Sequence, residues 1–258
     1  MKSLFLTVFF SALCTGVFAQ KADSTKSRAT QAGTSDVQHN NYDTYQSTNQ
    51  IVGSTPYTMI LTRDQRYEGL RGSPYFLPEW NKGQIEVISG KHYKDVPIKF
   101  DASRQHLILR RTGVTNDSII VDANQVKSFQ FTASDGQFYV FRRFPDAKTD
   151  DAALREGYFL VLHQGKTALL KRIAKTLKKA DYKNPYSNDI RYDEFLPVTT
   201  YFLLKPDQTL SKVKLSDKSL IEALGDHKEE LKAYAKQENL TVKDENGAIQ
   251  LITKYNSL

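Results

Sequence analysis

The sequence predicts a mainly β protein: an antiparallel meander that forms a sandwich or a partly open barrel, with a C-terminal helical cap. Two observations lead to this fold class. From residue 84 to residue 163, short runs of alternating apolar and polar residues are separated at regular intervals by turn-forming residues, which is typical of antiparallel sheets. Beyond residue 216, apolar residues recur instead with the spacing of a helix.

The first part of the β region contains seven candidate strands. Their ranges are Gln84–Ile88, Val96–Phe100, His106–Arg111, Ser118–Val121, Val126–Phe131, Gln137–Arg143 and Gly157–His163. Turn-forming pairs such as Asn116-Asp117 and Asp135-Gly136 lie between them. Because some of these strands are apolar at consecutive positions, as in Leu107–Leu109, we expect both faces of the sheet to be covered.

The segment Lys166–Lys183 fits two interpretations. It contains seven basic residues and one acid, and its apolar residues match the spacing of an amphipathic helix that lies on a membrane. However, it follows Gln164-Gly165, which is suited to a tight hairpin turn. We therefore favour a long strand, with the charges on a solvated face.

A polar loop is expected at Asp181–Pro197. Two strands and three helices follow it, at Thr199–Lys205, Leu210–Leu215, Asp217–Leu224, Asp226–Gln237 and Glu245–Tyr255. Gly225 is suited to end the first helix, and Asp226 with Glu229 forms a capping box for the second. The helices carry too few apolar residues to fold alone, so we expect them to pack on the sheet.

The N-terminus has the features of a signal peptide. Lys2 precedes the apolar run Leu4–Phe10, and Val17 and Ala19 are the third and first residues before the expected cut between Ala19 and Gln20. The predicted organisation is a signal peptide at 1–19, a disordered polar linker at 20–54, an antiparallel β domain at 55–215 and C-terminal helices packed on it at 216–258.

Cysteine usage and motifs argue against cofactor chemistry. Cys14 is the only cysteine and leaves with the signal peptide, so the mature protein has neither a disulfide nor a thiol. A lipid on Cys14 is disfavoured, because Leu13 is not the small residue that usually precedes such a cysteine. Gly165-Lys166-Thr167 resembles the end of a phosphate-binding loop but lacks the glycine five residues earlier. The histidines are scattered, so we expect no metal and no cofactor.

The charge of the chain restricts its partners. The formal net charge is +7, from 36 Lys and Arg against 29 Asp and Glu. This mild positive charge favours an anionic glycan or lipid, or an envelope protein, and it is too low and too dispersed for nucleic acid. No second apolar run of about 18 residues occurs, so no transmembrane segment is expected.

Basic residues lie beside aromatic residues at the ends of predicted strands. Because neighbouring strand residues point to opposite faces, at most one arginine of an adjacent pair can join a given patch. The candidate binding residues are Arg110, Arg111, Arg142, Arg143, Arg172 and Lys175. A second aromatic group, Tyr75, Phe76 and Trp80, lies between glycines and prolines, where it forms either a ligand platform or, as we favour, a plug for one end of the core.

Several short motifs are distributed over residues 67–258. They are Gly72-Ser73-Pro74-Tyr75 with Trp80 and Gly83, Pro97-Ile98-Lys99-Phe100-Asp101, Gly157-Tyr158, Gly165-Lys166, Leu169-Leu170-Lys171, Thr200-Tyr201-Phe202-Leu203-Leu204-Lys205, Lys218-Ser219-Leu220, Lys228-Glu229-Glu230-Leu231-Lys232-Ala233-Tyr234 and Tyr255-Asn256-Ser257-Leu258. With the cut at Phe18-Ala19-Gln20, they resemble an uncharacterised family of exported proteins common in Bacteroidota-type bacteria. The resemblance implies an exported bacterial protein with no catalytic residues to transfer, and it favours a strand at 166–177.

These observations predict an exported, non-catalytic protein of the periplasm or cell envelope, or a secreted one, that binds or scaffolds through a basic and aromatic β surface. The alternative is an exported hydrolase whose active site the sequence does not reveal. Such an enzyme would need His92, His106 or His163 within hydrogen-bond reach of a carboxylate and a nucleophile.

Export is tested by the mass of the intact protein recovered from the cell envelope. Cleavage by signal peptidase removes residues 1–19, so the measured mass should correspond to a chain of 239 residues that begins at Gln20. An Ala19→Arg variant should retain the N-terminal segment, because the peptidase requires a small residue at that position. A full-length wild-type species in the cytoplasm would contradict the prediction.

Overall fold

The computed structural model describes residues 70–111, 117–180 and 192–258, together with the backbone of Met59–Leu61. All of these residues belong to one compact unit, His39–Leu258. The predicted signal peptide (1–19) and linker (20–54) lie outside the described residues.

The described strands form one open antiparallel sheet. They are β1 (Met59–Leu61), β2 (Asn81–Val87), β3 (His92–Asp101), β4 (His106–Arg110), β5 (Ser118–Ile120), β6 (Val126–Thr132), β7 (Phe138–Arg142), β8 (Phe159–His163), β9 (Ala168–Lys178), β10 (Glu194–Leu204) and β11 (Leu210–Val213). Their order across the sheet is β1-β5-β4-β3-β2-β6-β7-β8-β9-β10-β11. Since β1 and β11 are its edges, the sheet does not close into a barrel.

Within the described ranges, four α-helices accompany the sheet. They are α1 (Ala152–Glu156), α2 (Asp217–Leu224), α3 (Lys228–Gln237) and α4 (Glu245–Ser257), and a short 3-10 turn precedes β6 at Ala123–Gln125. The prediction of a mainly β protein with an antiparallel meander and C-terminal helices is confirmed.

The long strand β9 confirms the strand interpretation of the basic segment. It pairs with β10 over its whole length, from Ala168 opposite Leu204 to Lys178 opposite Glu194. Because β9 extends so far, it also provides backbone partners for residues 194–197. The predicted loop at Asp181–Pro197 is therefore wrong for its last four residues, which begin β10, whereas its residues 181–191 lie outside the described ranges.

Side chains cap two of the C-terminal helices. The Ser216 hydroxyl accepts a hydrogen bond from the Ser219 N–H (3.3 Å), and the Asp244 carboxylate accepts one from the Gly247 N–H (2.8 Å). The predicted capping box of Asp226 is wrong, because α3 starts at Lys228 and its N-cap position is His227, which lies in the left-handed region (φ 55°). His227 makes no side-chain capping hydrogen bond.

The inner face of the sheet carries an aromatic core. A row of residues directly opposite one another defines this face from β2 to β11: Ile85, Phe129, Phe141, Leu160, Lys171, Tyr201 and Val213. The rings of Phe129 and Phe141 are stacked with their centroids 4.9 Å apart. The centroids of Phe100 and Tyr158 each lie 5.0 Å from one ring of this pair and 5.7 Å from each other. This first core fills the concave side of β2–β8.

Two further cores cover the rest of the sheet. On the inner face of β9–β11, Leu169 and Leu203 pack against Leu220, Leu231 and Leu251 of the three C-terminal helices. On the outer face, a third core includes Phe159, Leu170, Phe202 and Leu210, with Leu154 of α1 packed against it. Both faces are thus covered in this region, as the consecutive apolar positions predict.

A glutamine side chain joins distant parts of the sheet. Gln105, in the turn between β3 and β4, donates from Nε2 to the carbonyl of Ile173 in β9 (3.0 Å), and its Oε1 accepts the N–H of Tyr158 (3.2 Å). The Lys175 N–H also donates to the Ala102 carbonyl (3.3 Å). Since four strands separate β3 from β9 in the sheet order, these bonds require the sheet to curl strongly.

Two phenylalanines of β7 provide a matched test of the first core. Phe141 is fully buried, whereas Phe138, three residues earlier, is 60% exposed. Phe141→Ala should lower the free energy of unfolding by about 3–5 kcal/mol because it leaves a cavity, and Phe138→Ala by no more than about 0.5 kcal/mol. Urea denaturation followed by circular dichroism measures both, and equal losses would contradict the assignment of the core.

Candidate ligand-binding cleft

Strands β7 and β8 separate after a short contact. Each has five residues, but only Phe141 opposite Leu160 and Arg142 opposite Phe159 are paired between them. Beyond these pairs, residues 138–140 of β7 and 161–163 of β8 diverge. On its other side β7 pairs with β6 along its whole length, so the gap belongs to the junction with β8.

The register shows which backbone groups face this gap. The Ala133 N–H donates to Gln137 O (2.8 Å) and the Arg143 N–H donates to Lys127 O (3.2 Å), so the odd-numbered residues of β7 point their backbone groups towards β6. The backbone groups of Phe138 and Val140 therefore point towards β8. By the same alternation, Val161 continues the edge that Phe159 presents to β7.

A cavity of about 450 Å³ opens at the point where the strands separate. Apolar side chains form part of its lining, with Phe76, Leu160, Leu162 and Ile173 among them, although polar atoms make up most of its accessible surface. Three polar side chains, Gln137, Lys171 and Glu245, also border it. This volume is within the usual range for sites that take small ligands.

The polar wall is organised around Glu245, the first residue of α4. Its Oε1 accepts a hydrogen bond from Lys171 Nζ (2.6 Å) and another from the Tyr201 hydroxyl (2.7 Å). Lys171 and Tyr201 are direct neighbours on the inner face of β9 and β10. Burial, followed by the hydrogen bond and the charge of Glu245, raises the pKa of Tyr201. This phenol therefore stays neutral and acts as a hydrogen-bond donor to Glu245.

The cleft thus combines apolar side chains with an ammonium and a carboxylate at one end, and the Tyr201 phenol holds the carboxylate in place. Such a combination orients an amphipathic ligand: the apolar surface supplies affinity, and the few polar groups select its orientation. Lys171 and Glu245 are each less than one-third exposed, so a ligand group that replaced one of them in the pair would be partly shielded from water.

The first pair of predicted binding residues lies on β4 and in the turn that follows. Arg110 is exposed, and it faces Ser118 of β5. Arg111 forms a bidentate ion pair with Asp117, in which Nε lies 2.6 Å from Oδ1. The fork of Arg111 therefore links the residue after β4 to the residue before β5.

The second pair consists of the last residue of β7 and the residue after it. Arg143 is buried, and its guanidinium donates to the backbone carbonyls of Glu156 (3.1 Å) and Ala123, which ties the β7–α1 segment to the turn before β6. Arg142 is half-buried, and its Nε has no hydrogen-bond partner among the described residues.

The last two candidates lie on β9. Arg172 donates to the Ala153 carbonyl (2.9 Å) and lies over the ring of Phe159, 5.8 Å from its centroid. Burial lowers the pKa of Arg172, partly offset by the charge of Asp151. Lys175 is half-buried beside the β3–β4 turn.

The structure brings only some of the six candidates together. Arg142 and Arg172 lie on either side of Phe159 on the outer face, because Phe159 is opposite Arg142 and contacts Arg172. Arg110 and Arg111 are separated from β7 by three strands. Several of these side chains hold neighbouring segments together, and the six do not form one continuous patch.

Only one ring of the aromatic segment before β2 plugs the core. Phe76 packs edge-on against Tyr139 and Phe141 (5.0 and 5.3 Å between centroids), so it plugs the first core. Tyr75 and Trp80 instead lie on either side of the Lys99 ammonium, which is 4.8 Å from each ring centroid. Burial lowers the pKa of Lys99, opposed by Glu79, and Arg110 lowers it further.

The histidines of the hydrolase alternative lie in structural contacts. His163 contacts Thr253 and Asn256 of α4 (3.5 and 3.2 Å), but the Thr253 hydroxyl donates to Ile249 O, and the Asn256 amide clamps both backbone groups of Thr167.

The other two histidines face carboxylates that also bind neighbouring hydroxyl or backbone groups. His92 is opposite Glu86, whose carboxylate accepts the Ser128 hydroxyl directly (2.9 Å), whereas a catalytic histidine would lie between them. His106 is opposite Asp101, whose carboxylate caps the backbone of Ser103.

Sequence reasoning did not identify the polar wall of the cleft. Lys171 was one of seven lysines and arginines in a basic segment, and Glu245 was an ordinary first-turn acid of a helix. They are 74 residues apart in the chain. Only the docking of α4 on the sheet brings them together, so no local pattern could have revealed the pair.

Comparisons with models of protein families, with curated proteins and with solved structures found no match. Within the described ranges, no group of three or more His, Cys, Asp or Glu residues is arranged to hold a metal ion. The longest described helix, α4, has 13 residues, and none in this part of the chain meets the length and hydropathy of a membrane span.

Replacement of Glu245 tests the polar wall. Glu245→Gln removes the negative charge beside Tyr201, so the pKa of this phenol should fall towards the value that burial alone sets. The free energy of unfolding should also fall by about 1 kcal/mol, since the ion pair with Lys171 is lost. Glu222→Gln, on the exposed side of α2, is the matched control and should change neither quantity.

The measurement is a pH titration of tyrosinate absorbance, with a Tyr201→Phe variant to assign the contribution of Tyr201. Because the folded-state pKa is raised, this group stabilises the fold below the unfolded-state phenol pKa of about 10, and this stabilisation is lost as the pH rises further. The loss should begin at the same pH but be smaller in Glu245→Gln. Identical titrations of wild type and variant would rule out the Glu245–Tyr201 bond.

Proposed function

We propose that this chain is an exported, non-catalytic binding protein of the bacterial cell envelope and that its ligand lies in the cleft between β7 and β8. One observation supports the site above all: the sheet opens there into a cavity of about 450 Å³ that several apolar side chains line together with the Lys171–Glu245 pair, which Tyr201 supports through its bond to Glu245. A cavity with a few convergent polar groups is the usual form of a binding site.

The location in the envelope rests on the signal peptide and on the resemblance to exported bacterial proteins. The basic outer surface supports this location. Arg110 is exposed on β4, and Lys99 between Tyr75 and Trp80 lies on the neighbouring strand β3. This surface would bring the protein to anionic glycans or lipid headgroups weakly and in a salt-dependent manner, while the cleft provides the selective site.

The cleft is tested with the anionic aromatic dye 1-anilinonaphthalene-8-sulfonate, whose fluorescence rises in apolar sites. Wild-type protein should bind the dye saturably, and Leu162→Trp should weaken binding about tenfold or more, because the indole fills the cavity. Lys171→Met should weaken binding less, through loss of the ammonium that faces the sulfonate. Urea denaturation checks that each variant is folded.

A matched control excludes binding to other exposed apolar residues. Ile88 is 60% exposed at the end of β2 and does not line the cleft, so Ile88→Ser should leave the affinity for the dye unchanged. If Leu162→Trp binds the dye as tightly as wild type, or if Ile88→Ser loses binding, the ligand site does not lie in the cleft.

A further inference from the structure

We propose that the ligand of the cleft is an extended polypeptide segment that adds as a strand between β7 and β8. This inference rests on the proposed function and specifies its ligand class. A gap between two strands of one sheet offers what a flat pocket does not, namely backbone donors and acceptors on both of its sides. A strand from another polypeptide is the ligand whose repeat matches them.

The backbone groups that face the gap carry the proposal. The pairing of β7 with β6 places the N–H and C=O groups of Phe138 and Val140 on the side of β8. Val161 presents its groups from β8, and its ladder with β7 ends at Phe159 and Leu160. An inserted strand could therefore bond to both edges, as each strand inside a sheet does.

The dimensions of the cavity suit a short segment. One residue of a sheet occupies roughly 3.4 Å along the strand, 4.8 Å between strands and 10 Å through the sheet, or about 160 Å³. The cavity of about 450 Å³ thus holds about three residues. Three residues on each side, 138–140 and 161–163, also diverge at the gap.

The edges of β7 and β8 at the gap lack residues that block the pairing of a further strand, whereas the exposed part of β10 has such a residue. In β10, the Phe195 N–H donates to Arg71 O, so the odd-numbered residues point outwards there, and Pro197 removes the next N–H on that side. Along the gap, neither 137–140 nor 161–164 contains a proline, lysine, arginine or carboxylate. Nothing in these two stretches discourages the addition of a strand.

The surroundings also predict the side chains of the segment. A residue of the inserted strand that points to the inner face meets Tyr139, Leu160 and Leu162, so an apolar residue fits there. Its two neighbours point to the outer face, beside Phe138, which is largely exposed. The segment should therefore alternate polar and apolar residues.

The probe is a peptide with a fluorescent N-terminal dye and the sequence Thr-Val-Thr-Val-Thr, amidated at its C-terminus. It should bind the mature protein saturably, as followed by fluorescence anisotropy, and displace 1-anilinonaphthalene-8-sulfonate. The control is the same peptide with N-methyl groups on both valines, and a second control carries them on the threonines. Each control keeps the side chains but removes backbone donors on one edge, so both should bind at least about tenfold more weakly.

A matched pair of protein variants tests the same bonds from the other side. Val140→Pro removes an N–H that points into the gap and leaves the pairing of Tyr139 and Phe141 with β6 in place. The Val140→Pro variant should bind the peptide about tenfold more weakly but keep its affinity for the dye. The Val140→Ala variant should bind the peptide nearly as tightly as wild type does. Urea denaturation checks that both variants are folded. The methylated peptides test the backbone hydrogen bonds on the wild-type protein, so that test does not depend on the folding of a variant.

The outcomes separate this inference from the proposed function. If the dye binds in the cleft but the peptide does not, or if the methylated peptides bind as tightly as the parent, strand addition is wrong and the binding function stands. If Leu162→Trp binds the dye as tightly as wild type, or if Ile88→Ser loses binding, the dye does not bind in the cleft and both proposals are wrong.

Discussion

Two separate hydrophobic cores pack on the inner face of the sheet, and the rest of the structure depends on where one ends and the other begins. The aromatic cluster of Phe100, Phe129, Phe141 and Tyr158 draws β7 and the start of β8 towards the concave side of the curled strands. The C-terminal helices form their own core on the inner face of β9–β11. β8 lies between the two, and Leu162 contacts both cores. The cleft opens where β8 leaves the first core.

The second core holds the end of β8 by specific bonds. Asn256 of α4 accepts the Thr167 N–H and donates to the Thr167 carbonyl, each at 2.9 Å, and it also contacts His163. Its amide occupies the space in which a side chain at Gly165 would begin, so a glycine is required there by close approach. The turn between β8 and β9 is thereby fastened to the last helix. This attachment lies directly beyond residues 161–163, which belong to the part of β8 that does not pair with β7.

The curl of the sheet and its basic residues are connected. Gln105 joins the β3–β4 turn to β9 and to Tyr158, the residue before β8. Arg143 and Arg172 donate to the carbonyls of Glu156 and Ala153, which lie in the segment that covers the outer face. Guanidinium groups suit this purpose because they keep their charge when partly buried and present several donors in a plane. Arginines beside aromatics in a sequence therefore identify strand ends that need support as readily as they identify a binding surface.

The sequence by itself determined the class of fold, the positions of most strands and the end of α2 at Gly225. These features depend on alternation, on turn residues and on the conformational freedom of glycine, all of which act within a few neighbouring residues. It did not determine the start of β10, since Glu194 and its neighbours form a strand only because β9 extends beside them. It also did not determine the cleft, which arises where two cores meet. Only the tertiary structure brings Glu245 to Lys171 and Tyr201, because packing joins residues that no local pattern relates.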